Sequence, residues 1–67
     1  MREIKALREK LGLSQKAVAA KMNVSQQAVS QWESDDGTPK AEQLPDLADL
    51  FGVSIDALFG RESKDTA

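Results

Sequence analysis

The chain has no cysteine and no histidine among its 67 residues. These absences exclude a disulfide framework and any thiolate or imidazole metal site, and they are compatible with a reducing compartment. No apolar run is long enough to cross a membrane, and Arg2, Glu3 and Lys5 interrupt the start, where a signal peptide would be apolar. Neither an internal repeat nor a strand-like alternation is present. What remains is a soluble intracellular protein of one domain at most. A domain this small buries only about 60% of the surface its unfolded chain exposes, so its few core positions must pack well. Catalysis is not expected either: no serine has a base partner in view, and the carboxylates are scattered rather than paired. No cofactor, metal or small-molecule ligand is implied. Asp35 and Asp36 resemble the beginning of a calcium loop, but the spacing is wrong and the later ligands are missing.

The net charge of −2 at first argues against a nucleic-acid partner, but its distribution does not. Residues 1–33 carry Arg2, Lys5, Arg8, Lys10, Lys16 and Lys21 against Glu3, Glu9 and Glu33, a balance of +3; residues 34–67 balance at −5. Such asymmetry can mark a basic binding surface on an acidic body, although a lean of three charges does not decide it. Lys5 and Lys10 read as solubilising charges.

Residues 2–11 place Ile4, Leu7 and Leu11 on one stripe of an amphipathic helix, which Gly12 ends. Ser14 is an N-cap for a second helix over about 15–22, with Val18, Ala19 and Met22 on its apolar side. Asn23 suits the left-handed residue that would end that helix, and Ser25 caps a third over 26–33. Two helices joined by about three residues make a helix-turn-helix unit, with small Ala19 where they cross. SDDGTPK, residues 34–40, is a loop. Leu44, Leu47, Ala48 and Phe51 define a fourth helix from about 44; Pro45 limits its start, with 41–43 an irregular lead-in. Gly52 ends it. Ser54 caps a short fifth helix, expected to turn Ile55, Leu58 and Phe59 inward before Gly60. RESKDTA, residues 61–67, is a polar tail or the start of a linker. The expectation is all-α: one domain over residues 1–60, five helices around one core.

The third helix holds the chemistry. It shows Gln26, Gln27, Ser30 and Gln31 on one side and turns Ala28, Val29 and Trp32 to the other. Amides and a hydroxyl without charge suit base edges in the major groove; glutamine can pair bidentately with adenine through N6 and N7. Alone, such a face is more often merely solvated. Placed in a complete helix-turn-helix, the DNA reading overtakes that one. Trp32, at helical spacing with Ala28 and Val29, is expected in the core rather than as a stacking platform for single strands.

Gln15 to Ser34 matches a twenty-residue helix-turn-helix pattern: Gln15 at its start, apolar Val18, small Ala19, apolar Met22, Asn23 in the turn, then Val24, Val29 and Trp32. With LSQKAVA, VSQWE and LADLFGVSIDALF, the chain from Arg2 to Gly60 resembles the DNA-binding domain of the lambdoid phage repressor and Cro proteins, the xenobiotic-response-element type of regulator. The resemblance implies a compact five-helix lambda-repressor-like fold and a cytoplasmic protein of a bacterium or phage. It implies sequence-specific binding of double-stranded DNA, most simply by a repressor that sits as a homodimer on a palindromic operator. The third helix would lie in the major groove, with two such helices about 34 Å apart.

Gln26, Gln27, Ser30 and Gln31 would then read bases. Gln15, Lys16, Ser25, Arg8 and Lys40 would contact the DNA backbone. Arg8 and Glu33 occupy the places of a family salt bridge that also holds Arg8 near the DNA. Leu44, Leu50, Ile55 and Ala57 are the implied dimer side. One departure stands out: Asp35, Asp36 and Glu42 occupy the loop and the start of the fourth helix, with Lys40 the only cation there, so the backbone clamp on that side should be weak. The acidic second half also fits a reading of another class, an antitoxin-like or anti-repressor module that binds protein.

Overall fold

Three of the four links between helices carry the same three-residue device. The computed structural model describes residues 1–60; the tail expected over 61–67 lies outside the described residues. Five α-helices form: α1 (Arg2–Lys10), α2 (Gln15–Met22), α3 (Gln26–Glu33), α4 (Leu44–Phe51) and α5 (Ile55–Leu58). No strand occurs among the described residues. The repeated links are Gly12-Leu13-Ser14, Asn23-Val24-Ser25 and Gly52-Val53-Ser54.

In each link the first residue is left-handed, at φ 73, 59 and 68. The second returns its N–H to the preceding helix: Leu13 to the Arg8 carbonyl at 3.0 Å, Val24 to Ala19 at 2.9 Å, Val53 to Ala48 at 3.0 Å. These bonds satisfy carbonyls that the helix end would orphan, and the apolar side chain beside each folds back onto the core. The third residue caps the next helix. Ser14, Ser25 and Ser54 accept from the N–H groups of Ala17, Ala28 and Ala57 at 3.0, 3.1 and 3.2 Å. Each such cap contributes about 1 kcal/mol. One helix therefore stops and the next starts within three residues at α2–α3 and α4–α5, and within four at α1–α2, where Leu11 precedes the device.

Asn23 is the one non-glycine among the three left-handed positions, at φ 59, ψ 46. Asn23→Gly removes the Cβ from that conformation. The expected result is between no change and a gain of about 1 kcal/mol, read by thermal melting. A clear loss would show that the asparagine side chain holds the turn by another means.

All five helices feed one core: Ile4 from α1, Val18 and Ala19 from α2, Val29 and Trp32 from α3, Leu47, Ala48 and Phe51 from α4, and Leu58 from α5. The small side chain of Ala19 lets α2 lie close against α3. Ahead of α4, residues Ala41–Gln43, expected as an irregular lead-in, form a 3₁₀ turn. Pro45 falls in the first turn of α4, where its missing N–H costs nothing.

Three apolar residues expected inside are not. Leu11 is 50% exposed, because α1 ends at Lys10 and Leu11 lies past its last turn. Ile55 and Phe59 are 40% and 48% exposed. The fifth helix is a single turn and points only one of its large side chains, Leu58, fully at the core; Ile55 and Phe59 lie at its two ends.

Candidate nucleic-acid interface

The third helix divides lengthwise. Gln26, Gln27, Ser30 and Gln31 are exposed, while Val29 and Trp32 are buried and Ala28 is half-buried against the core. At 3.6 residues per turn, the four polar residues cover about 140° of arc. The opposite face is anchored through Val29 and Trp32, so α3 is held rigidly from behind. At its N-terminus, the Ser25 hydroxyl accepts from Ala28 N–H and keeps its own proton to donate.

The other end of α3 is tied down by charge. The Glu33 carboxylate takes Arg8 Nε at 2.6 Å, Arg8 Nη2 at 3.2 Å and Gln15 Nε2 at 3.0 Å. Arg8 Nη1 reaches the Leu13 carbonyl at 2.9 Å. The side chains of Arg8 and Glu33 are only 12% and 5% exposed. This node joins α1, the α1–α2 link, the start of α2 and the end of α3. It also neutralises an acid at a helix C-terminus, where the helix dipole disfavours one. The Arg8–Glu33 pair expected from the sequence is present, and the same guanidinium also reaches the Leu13 carbonyl. The Gln15 amide spends one donor on Glu33, which leaves its second N–H and its backbone N–H for any other partner. Residue spacing carries no signal for that contact, since 18 positions separate Gln15 from Glu33.

Burial pushes the Glu33 carboxyl up, but hydrogen bonds from Arg8 and Gln15, helped by the Arg8 charge, outweigh it, and the group stands below its ordinary value of 4.5. The hydrogen bond to Glu33 in turn raises the Arg8 guanidinium above its ordinary value. A carboxyl lowered on folding contributes stability above its unfolded pKa and loses it as pH falls through the folded one. The stability advantage of the wild type over Glu33→Gln is therefore expected to be constant from neutral pH down to about 4.5, then to shrink on further acidification. Urea unfolding of both proteins between pH 7 and 3 checks this. A pH-independent difference would mean that the charge on Glu33 is not what holds the node.

The acidic loop after α3 folds back on the helix end. Asp36 and Gly37 N–H groups donate to the Gln31 carbonyl at 3.0 and 3.3 Å, and Asp36 also accepts from the Ser34 hydroxyl at 3.1 Å. Asp35 adopts φ 67, and its carboxylate accepts from the Met1 amino group, as does the Trp32 carbonyl. That hydrogen bond holds the Asp35 carboxyl below its ordinary range. The loop acids thus gather at the C-terminal end of α3, away from Gln26. Buried Pro39 pins the rest of the loop, and exposed Lys40 donates its backbone N–H to Gln43 Oε1 at 2.8 Å. Lys16 and Ser25 are exposed as well.

The implied dimer residues do not form one surface class. Leu44 and Leu50 are half-buried and packed on the core, Ala57 is half-buried, and Ile55 is exposed. Among the described residues no group of three or more Asp or Glu converges on a metal position, and no helix is long and apolar enough to cross a membrane.

The family model described as "Helix-turn-helix" matches residues 4–58, a stretch that includes α2, the Asn23 turn and α3. The chain belongs to the helix-turn-helix family. Its relatives include the HTH-type transcriptional regulator ImmR of Bacillus subtilis (strain 168), 34% identical over 61 residues. They also include the HTH-type transcriptional activator BcrR of Enterococcus faecalis, 37% identical over 60 residues. The matches cover 91% and 90% of this chain but only 48% and 29% of those proteins, so the chain spans less than half the length of either. No solved structure matches the chain significantly. Both relatives are named as transcription regulators, and what they share with this chain is the length that holds its helix-turn-helix.

Proposed function

We propose that this helix-turn-helix protein is a sequence-specific regulator that binds duplex DNA as a two-fold dimer on a palindromic site, acting as a repressor by occluding a promoter. Occlusion needs nothing beyond occupancy of the site. The observation that carries the reading is the divided third helix: Gln26, Gln27, Ser30 and Gln31 face solvent, and the other side is locked into the core. In the proposed complex α3 lies in the major groove and those four side chains meet base edges, the glutamines favouring adenine. The start of α2 meets the phosphate backbone. Gln15 and Lys16 present backbone N–H groups at a positive helix end, Lys16 adds a cation, and Ser25 adds a hydroxyl. Lys40 makes the contact beyond the loop. Arg8 acts mainly by holding α1, α2 and α3 in register, and approaches the DNA only alongside Gln15.

The proposal is tested by titrating labelled duplex with protein at several salt concentrations. Affinity should fall steeply with salt, because each neutralised phosphate releases counterions. No shift of any duplex at low salt would sink the reading. Gln27→Ala is expected to cost about 1–3 kcal/mol on a preferred site and to relax the preference at one base pair. Equal losses on preferred and random duplexes would remove base reading from that residue.

A further inference from the structure

Gly37, in the loop after α3, is a glycine without a backbone reason. Gly12, Gly52 and Gly60 sit at positive φ, where a side chain would be strained, and Gly37 does not. Lack of room is not the reason either. A Cβ on Gly37 would meet Gln31 Cβ at 3.7 Å and Gln31 Oε1 at 3.9 Å, which are ordinary van der Waals distances. Apart from its chain neighbours, it would meet nothing else within 4 Å among the described residues. What the missing methyl leaves unfilled is one flank of the Gln31 side chain.

The loop is fixed in that position from the helix itself. The Gln31 carbonyl accepts from Asp36 N–H at 3.0 Å, from Gly37 N–H at 3.3 Å and from the Ser34 hydroxyl at 3.4 Å. These bonds fold residues 34–37 back over the last turn of α3 and set Gly37 beside Gln31. Gln27 and Gln26 stand four and five residues earlier, about 6 and 7.5 Å back along the axis. A glutamine amide both donates and accepts, and its torsions give an exposed side chain several reaches along a groove. Packing against one flank removes some of those rotamers, and with them some of the base edges the amide can pair with.

We infer that residue 37, outside the reading helix, sets how strictly Gln31 reads its base pair. As glycine it leaves the Gln31 amide unpacked on that flank, and the protein is permissive at that pair. Gly37 has no side chain to offer a base and acts through Gln31, so it is a positioning residue for the DNA reading proposed above, on which this role rests.

Two measurements test this. In the free protein, NMR relaxation of the side-chain amide groups compares the wild type with Gly37→Ala. The Gln31 amide should become more restricted, and the Gln26 and Gln27 amides should not change. The melting temperature should hold or rise, since alanine at a compatible backbone position narrows the unfolded ensemble. Bound duplexes are then selected from a random pool at one salt concentration by the wild type, Gly37→Ala, Gln31→Ala and the double variant. Gln31→Ala identifies the base pair that Gln31 reads. At that pair Gly37→Ala should sharpen the preference by about three-fold or more, leaving the other pairs within about two-fold of the wild type. In the Gln31→Ala background the same substitution should change nothing, which a general effect on the fold would not reproduce. An unrestricted Gln31 amide in Gly37→Ala would overturn the inference, as would a change spread over all pairs or one that persists without Gln31. A protein that selects a half-site but responds to Gly37→Ala at no pair defeats the role of residue 37 alone. A restricted amide in a protein that shifts no duplex sinks the DNA reading, and this role with it.

Discussion

Trp32→Ala is expected to lower stability by about 3–5 kcal/mol, the cost of truncating a buried aromatic. Trp32 is 5% exposed and lies in the core with Ile4, Val18, Val29, Leu47 and Phe51. A chain of this length holds roughly 3–10 kcal/mol in total, so the variant should be largely unfolded at 37 °C. Thermal melting followed by helical circular dichroism reads the effect. Trp32→Phe should retain much of the stability, since it keeps most of the buried area. Duplex binding should be lost with the alanine variant, because the exposed face of α3 depends on the anchor behind it. An unchanged melting temperature in Trp32→Ala would mean that α3 is held from elsewhere, and the rigid-reader account would fail.

The second large effect belongs to Arg8. Arg8→Ala leaves the Glu33 carboxylate, 5% exposed, with the Gln15 amide as its one remaining hydrogen-bond partner. Removing one member of a buried pair costs about 3–5 kcal/mol when burial is complete. Arg8 is itself 12% exposed, so the lower end, about 3 kcal/mol, is expected. Lysine should not substitute, because the guanidinium uses three nitrogens at once: Nε and Nη2 on Glu33, Nη1 on the Leu13 carbonyl. Adding Glu33→Gln to Arg8→Ala should recover part of the loss, since the orphaned charge goes too. Denaturation midpoints of the wild type, both single variants and the double variant close the cycle. Additive losses would show that the two side chains do not act as a unit.

The legible parts of this structure are local ones. Gly12, Asn23 and Gly52, each followed by an apolar residue and a serine, mark helix ends and starts through backbone conformation and capping alone. Neither needs distant contacts, so these boundaries can be read from neighbouring residues. The polar side of α3 is legible for the same reason: a 3.6-residue period sorts Gln26, Gln27, Ser30 and Gln31 from Val29 and Trp32. Arg8 and Glu33 could be paired only through resemblance to a family, because 25 residues separate them. Gln15 as the third member of that node was out of reach, since it depends on how α2 starts beneath the end of α3. Periodicity also overstated the core at Leu11, Ile55 and Phe59, because an apolar residue at the end of a short helix fits the pattern without having an element to pack against.

The most direct measurement for the central claim, that the exposed side of α3 reads bases, is selection of bound duplexes from a random pool at a stated salt concentration. The wild type and the Gln26→Ala, Gln27→Ala double variant are carried through in parallel. The account predicts that the wild type enriches an adenine-containing half-site, repeated as a palindrome about one helical turn apart. The variant should lose the preference at the positions those glutamines contact while keeping salt-sensitive, non-specific affinity. Enrichment of the same sequence by both proteins, or of none by the wild type, would contradict it.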